Sequence, residues 1–262
     1  MKRRTFIASG ILATQMWQIP ALAQVHTAGD AINKSGRQRM LAQRMAKAYC
    51  QLGLRIDTEH AQKILDQSVA LFDRQLTELR AFAPNGDIQK SLAAAESGWN
   101  EYKQLLVGRT ANKADAKTIL TLSDKLMQNA DEATTLFEKW GNDSGGKWVN
   151  LAGRERMLSQ RMSKCYFALL WDVATPDANA VLANARKEFV AALGTLSNAP
   201  VNTSAIRDEL MLAQQQWLFF DQALLRVGDE KMRLQAALNV ATSSERILEQ
   251  MDKVTALYQR IA

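Results

Sequence analysis

Apolar residues recur along this chain at spacings of three and four, with polar residues between them, the pattern of helices that bury one stripe. No stretch alternates apolar and polar residues with turn signals at strand spacing. The pattern predicts helical segments at 28–55, 59–81, 87–106 and 113–140, and again at 146–173, 178–196, 203–227 and 229–261. Breaks in the first half fall at Asp57-Thr58, Pro84-Asn85-Gly86 and Gly108. Those in the second fall at Thr175-Pro176-Asp177, Asn198-Ala199-Pro200 and Gly228-Asp229. A Gly-rich run from Gly141 to Gly146 separates the halves and suits the end of one helix and the start of the next.

The two halves are copies of one another. Asn33, Gly36, Arg37, Arg39, Met40, Leu41, Gln43, Arg44, Met45, Lys47 and Tyr49 return as Asn150, Gly153, Arg154, Arg156, Met157, Leu158, Gln160, Arg161, Met162, Lys164 and Tyr166, each 117 residues on. At the same offset Phe72, Leu76 and Leu79 match Phe189, Leu193 and Leu196. Trp99 resembles Trp217, and Leu136-Phe137 resembles Leu257-Tyr258, the offset drifting by a few residues through the turns. Two modules follow, 24–142 and 143–262, each long enough for one core. Four antiparallel helices with short turns make a four-helix bundle. The expected fold is all-α: two tandem four-helix bundles packed as a pseudo-dimer.

At about 100° per residue the repeated residues divide between two faces of the first helix. Leu41, Met45 and Tyr49 fall on a core stripe, while Asn33, Gly36, Arg37, Arg39, Met40, Gln43, Arg44 and Lys47 share a broad opposite face. Positions that differ between copies, such as Lys34, Ser35, Ala42 and Ala46, lie mostly between. A core needs repeated hydrophobes, not repeated arginines. Glycine inside a helix costs ~1 kcal/mol relative to alanine, so Gly36 and Gly153 point to close helix approach. Met40 and Met157 supply adaptable apolar contacts there. Arginine presents a planar fork of donors suited to oxyanions. The two motif helices are therefore expected to pack together at Gly36/Gly153 and Met40/Met157, with arginines from both converging on one small anion. The plainer account is that the arginines are solvated, or paired to acids such as Asp131, Glu132, Glu245 and Glu249.

Composition supports helix: only 4 prolines and 13 glycines occur in 262 residues, and Ala, Leu, Gln, Lys, Arg and Glu are good helix formers. The first 23 residues read as a targeting segment, with a positive head at Lys2, Arg3 and Arg4, a mildly apolar stretch at 6–19, and a small-x-small site at Ala21-Leu22-Ala23. Arg3-Arg4-Thr5-Phe6-Ile7 resembles a twin-arginine export signal. The apolar stretch is shorter than the ~20 residues that cross a bilayer. Cleavage after Ala23 is expected, leaving a soluble periplasmic chain. Removing those three charges takes the net charge from +6 to +3, which argues against a nucleic-acid partner. An oxidising compartment would let Cys50 and Cys165 pair if the motif helices lie side by side. The plainer account is two buried thiols. Two isolated histidines, His26 and His60, make no zinc site, and no Cys-x-x-Cys-His motif holds a haem. No metal or cofactor is expected, and nothing resembles a catalytic constellation, so the chain is not expected to be an enzyme.

The motif Asn-x-x-Gly-x-x-Arg-Met-x-x-x-Arg on the first helix of such a bundle resembles the signature of the NarX/PilJ-type sensor domain, the periplasmic part of nitrate/nitrite sensor kinases and of the type IV pili methyl-accepting chemotaxis transducer. The resemblance is strongest at 33–49 and 150–166 and compatible with the rest of the mature chain. It implies that the motif helices of two subunits meet at a dimer interface and that an arginine after the motif glycine binds nitrate there. By position that arginine is Arg39 in one module and Arg156 in the other. Asn33, Gly36, Met40 and Arg44 match the remaining motif positions, as do Asn150, Gly153, Met157 and Arg161. Arg37 and Arg154 depart from the small residue that nitrate sensors tend to carry after the glycine, implying a more positive pocket. The doubling implies that one chain reproduces internally what sensors assemble from two subunits.

The expected function is thus a periplasmic binding or sensory protein for a small oxyanion such as nitrate or nitrite. Arg39 and Arg156 form the site, supported by Arg37, Arg154, Asn33 and Asn150. The alternative is an interaction module whose basic face docks a membrane sensor or transporter without binding a small ligand.

Overall fold

The computed structural model describes residues 25–142, 145–225 and 232–262. The targeting segment and its cleavage site, the middle of the Gly-rich seam, and the break at Gly228-Asp229 lie outside the described residues. Among those described there are helices and no strands. The helices are α1 (Ala28–Leu54), α2 (Thr58–Phe82), α3 (Gly86–Leu106), α4 (Lys113–Gly141), α5 (Gly146–Leu170), α6 (Ala178–Ser197), α7 (Ser204–Leu224) and α8 (Arg233–Gln259). They form two tandem helical bundles, α1–α4 and α5–α8. No helix among the described residues is long and apolar enough to cross a membrane.

The starts of four helices follow from polar side chains that catch otherwise unpaired backbone N–H groups. Thr27, Asn85, Asn112 and Thr203 accept from the N–H of Asp30, Ile88, Asp115 and Ile206, at 3.1, 3.0, 2.9 and 3.3 Å. At the seam, α4 ends with Asn142 in the left-handed region, φ 46°, a conformation asparagine tolerates better than most residues.

The buried apolar side chains of all eight helices form one core that runs through both bundles. Each bundle contributes an aromatic stack that repeats with the sequence: Phe72 on Trp99 at 4.3 Å and Phe189 on Trp217 at 4.5 Å between ring centroids. Leu41, Met45 and Tyr49 are fully or almost fully buried, as their phase in the motif predicts.

Helices α1 and α5 lie against each other along their length and make the main contact between the bundles. Each is therefore enclosed on all sides, α1 by α2, α4 and α5, and α5 by α6, α8 and α1. This alters the two-face reading of the motif. The face opposite the core stripe is largely interior: Asn33, Arg39, Met40, Gln43, Lys47 and Gln51 are buried as well.

The far ends of the two central helices are joined by an unsymmetrical contact. A Cβ on Gly53, in the last turn of α1, would stand 2.0 Å from Cζ2 of Trp171, the residue that closes α5. The ring is itself nearly buried and lies 6.1 Å from Tyr49. Gly53→Ala is therefore expected to lower stability by about 1–3 kcal/mol through overpacking, even though alanine is the better helix former by ~1 kcal/mol. Urea unfolding would read this; a stabilised variant would show that the indole moves aside at little cost.

Candidate functional site

The centre of the α1–α5 contact is built from the doubled motif. Gly36 and Gly153 have no side chain there, and guanidinium groups occupy the space. The position a Gly36 Cβ would take lies 3.0 Å from Nη2 of Arg39 and 3.8 Å from Nη2 of Arg156. The corresponding point at Gly153 lies 3.1 Å from Nη2 of Arg156 and 3.5 Å from Nη2 of Arg39. Two arginines from different modules thus converge on one place.

The pair is held by a reciprocal network. Arg39 donates from Nη1 to Asp131 on α4 at 2.5 Å, and from Nη2 to the Asn150 side chain at 2.7 Å and carbonyl at 3.3 Å. Arg156 donates from Nη1 to Asp252 on α8 at 2.5 Å, and from Nη2 to the Asn33 side chain at 2.8 Å and carbonyl at 3.2 Å. Each arginine so takes its carboxylate from its own module and its asparagine from the other. The asparagines are oriented in turn: Asn33 donates to Gln259 and Asn150 to Glu138, both at 2.5 Å. The Nε groups of Arg39 and Arg156 are buried and have no acceptor among the described residues.

Both guanidinium groups are essentially inaccessible to solvent. Burial, more than anything else, makes each easier to deprotonate than a free arginine. For Arg156 the effect, reinforced by the neighbouring Arg37 and Arg39, brings the pKa down to about 10. Like charges set close in a poorly solvated site favour any anion that comes between them.

Arg37 and Arg154 sit at the rim instead. Arg37 bonds Asp252 at 2.7 Å, sharing it with Arg156. Arg154 pairs with Glu188 on α6 and lies 3.8 Å from Asp131. Four arginines therefore face Asp131, Asp252 and Glu188, so the centre is less positive than the arginines alone imply. Met40 and Met157 are buried beside the motif glycines' helices. Arg44 and Arg161 lie further along the interface and take different partners.

The repeated lysine and glutamine of the motif form a second reciprocal layer. Lys47, fully buried on α1, reaches across to Glu245 on α8 and donates to Ser244 at 3.1 Å. Lys164 reaches back from α5 to Asp124 on α4 at 2.8 Å and to Ser123 at 3.2 Å. Gln43 and Gln160 stay within their own modules, donating to the carbonyls of Ser123 and Ser244, each at 3.0 Å. Of the acids, sequence reasoning named Asp131 and Glu245 but missed Asp252, Asp124, Glu188 and Glu138. The drifting offset held the signal: the step of 121 residues that takes Leu136-Phe137 to Leu257-Tyr258 also takes Asp131 to Asp252 and Asp124 to Glu245.

One carboxyl breaks the pattern. Glu155 occupies the position of Gln38, is fully buried, and has no hydrogen-bond partner for either oxygen among the described residues. Burial first, and Glu188 second, raise its pKa well above the ordinary carboxylate value. Gln38 donates to the Phe72 carbonyl at 3.5 Å, and Phe189 is the equivalent of Phe72. Glu155→Gln is therefore expected to stabilise the protein by about 1–2 kcal/mol near neutral pH. A raised folded-state pKa gives stability that is fully present below the unfolded pKa, near 4.3, and lost as pH rises toward the folded value. The advantage of the variant should accordingly widen between pH 5 and pH 8 in urea melts. An advantage independent of pH would refute this assignment.

Cys50 and Cys165 are both buried free thiols, and burial pushes Cys50 up to about 12. Among the described residues no His, Cys, Asp and Glu side chains gather into a group able to hold a metal ion.

Two stretches of the chain, residues 21–126 and 139–255, match the family model described as type IV pili methyl-accepting chemotaxis transducer N-term. No curated protein and no solved structure matches.

Proposed function

We propose, from the premise that this chain belongs to the PilJ family of type IV pili methyl-accepting chemotaxis transducer N-terminal domains, that it senses a small oxyanion such as nitrate or nitrite between Arg39 and Arg156. The family's domain is a sensory one, typically lying outside the cytoplasm, and sensing is the class of role the chain inherits. The two copies of the domain in one chain supply both halves of an interface. On this reading the protein is exported through its twin-arginine-like segment and cleaved after Ala23, and acts in the periplasm.

The observation that carries the reading is the convergence of two Nη2 groups, one from each module, within 3.8 Å of a single point. The unpartnered buried Nε groups support it, because a buried donor without an acceptor costs about 1–3 kcal/mol. Asn33 and Asn150 orient the arginines, and Asp131 and Asp252 balance them. A planar anion carrying one negative charge suits such a centre, since the carboxylates already offset most of the positive charge. An anion held by α1 and α5 together would tie the two modules more tightly than either carboxylate does. That is a direct route from binding to a change in the contact between bundles.

Titration calorimetry of the mature protein with nitrate, nitrite, sulfate and phosphate tests the proposal. Saturable heat with nitrate or nitrite is the expected result. Silence with all four anions, or binding unaffected by replacing both arginines, would overturn it. Docking of a membrane sensor or transporter through the basic face has less support, because Arg39 and Arg156 are buried and the other motif arginines are no more than partly exposed.

A further inference from the structure

The two modules differ around the last arginine of the motif. Arg44 on α1 is fully engaged: its Nε bonds both oxygens of Glu245 at 3.3 and 3.2 Å, its Nη2 reaches the same carboxylate, and its Nη1 donates to Ser68 at 3.4 Å. Arg161, its counterpart on α5, makes no hydrogen bond among the described residues. Its nearest carboxylate is Asp124, 4.0 Å from Nη2, and its Nε is buried without a partner.

Three replacements account for the difference, and each shortens a side chain. Asp124 stands where the other module has Glu245, Ala185 where it has Ser68, and Ala168 where it has the buried Gln51. Asp124 is also drawn to Lys164 at 2.8 Å. Together these changes remove the acceptors of the guanidinium group and the atoms that would fill the space beside it. A cleft of about 360 Å³ lies there, between α4, α5 and the start of α6. Its volume falls in the range of small-ligand sites.

The lining states what the cleft would accept. Leu120, Ala168 and Val181 contribute apolar surface. Lys125, Arg161 and Lys164 contribute three positive charges, and Asp124 and Asp177 two negative ones. The balance of one positive charge suits a monoanion and disfavours phosphate or sulfate, whose second charge would meet two carboxylates. A guanidinium fork whose one carboxylate neighbour stands 4.0 Å away can still take the two oxygens of a carboxylate.

We propose that the α4–α5–α6 cleft is a second ligand site, independent of the Arg39/Arg156 centre, that takes a small organic carboxylate by its charged end at Arg161 and its short apolar tail over Leu120, Ala168 and Val181. The protein then reads two chemically different ligands, one on the pseudo-twofold axis and one on one side of it only.

The test is calorimetry of the mature protein with sodium acetate, butyrate and hexanoate, with methyl butyrate, butylamine and phosphate as controls. Butyrate is expected to bind, and affinity to rise toward about fourfold per added methylene while the tail remains within the cleft. The ester, the amine and phosphate should not bind. Arg161→Gln should weaken butyrate at least tenfold. Ala168→Gln, which restores the residue of the other module, should fill the cleft and do the same without loss of helical signal or melting temperature. The side-chain Nε–H resonance of Arg161 should shift on titration in the wild type. Arg39→Lys/Arg156→Lys should leave butyrate binding unchanged, which separates this site from the oxyanion centre. Absence of saturable butyrate binding at roughly millimolar concentration, a range typical of weak ligands, would overturn the proposal. So would binding that survives both Arg161→Gln and Ala168→Gln.

Discussion

Glu245→Gln is expected to be among the most damaging single substitutions in this protein, lowering stability by about 3–5 kcal/mol. The carboxylate is mostly buried, its side chain 13% exposed, and it serves two cations at once: Arg44, and Lys47, which is itself wholly buried. Glutamine preserves the shape but leaves Lys47 with neutral acceptors at most, the Ser244 hydroxyl and one amide oxygen, and no counter-charge. An ammonium group stripped of both water and counter-charge costs far more than the ion pair contributes, so loss of one partner is the costly change. For a chain of this length each kcal/mol moves the midpoint by roughly 2–4 °C, so a drop of about 10 °C is expected.

The same network sets acid sensitivity. Burial alone would raise the Glu245 pKa, but Lys47 and Arg44 more than reverse that and hold it down to about 2. A lowered folded-state pKa means that the stabilisation is complete above the unfolded value, near 4.3, and is lost as pH falls toward 2. The displacement corresponds to about 3 kcal/mol across that window. Wild-type urea midpoints should fall steeply between pH 5 and pH 2, and those of Glu245→Gln should fall less. Glu245→Gln/Lys47→Met should be more stable than Glu245→Gln, since the stranded ammonium is gone. A loss below about 1 kcal/mol in the single variant would place Lys47 in contact with water or another acceptor.

The second large effect concerns function. Arg39→Lys/Arg156→Lys is expected to weaken oxyanion binding at least 100-fold while preserving the charge of the centre. Lysine offers a single ammonium, whereas each guanidinium here uses Nη1 for an aspartate, Nη2 for an asparagine of the opposite module, and retains Nε. An ammonium that keeps its aspartate has no second arm to extend toward a shared anion. Charge-assisted hydrogen bonds to ionised partners contribute about 1.5–3 kcal/mol each, so losing one per side gives roughly two orders of magnitude or more. Single variants should lose about half the binding free energy lost by the double. Far-UV circular dichroism establishes that the variant remains folded, and calorimetry with nitrate measures the loss. Nitrate affinity unchanged in a folded double variant would separate the arginines from ligand binding and leave them a purely structural pair.

Much of this protein could be read from its residues in order. The phase of Leu41, Met45 and Tyr49 marks a core stripe, and those residues are buried. The paired positions of Phe72 with Phe189 and Trp99 with Trp217 anticipate the same ring stack in both bundles. Glycine beside arginine, repeated at one offset, points to two helices in close contact. Such signals are legible because helix periodicity is local and a duplication repeats every local constraint together.

What the order of residues left open is the set of contacts between helices distant in the chain. Helical phase assigns Arg39, Gln43 and Lys47 to a face, but not whether that face meets water or another helix. Only the packing of α5 against α1 turns it into an interior. Only that packing makes Lys47 cross to Glu245 and Lys164 to Asp124 while Gln43 and Gln160 remain at home. The neighbourhood of Arg161 is the sharpest case. Its motif is the same as that of Arg44, and what frees it are one methylene fewer at Asp124 and the missing side chains at Ala185 and Ala168, residues scattered over three helices. Spacing along one chain was enough for the helices and the duplication, because both are local patterns; the choice of Arg39 and Arg156 from the basic face came from the resemblance of the motif. The tertiary structure decided which charges are neutralised and where space remains, because both depend on side chains that approach one another only after the helices have packed.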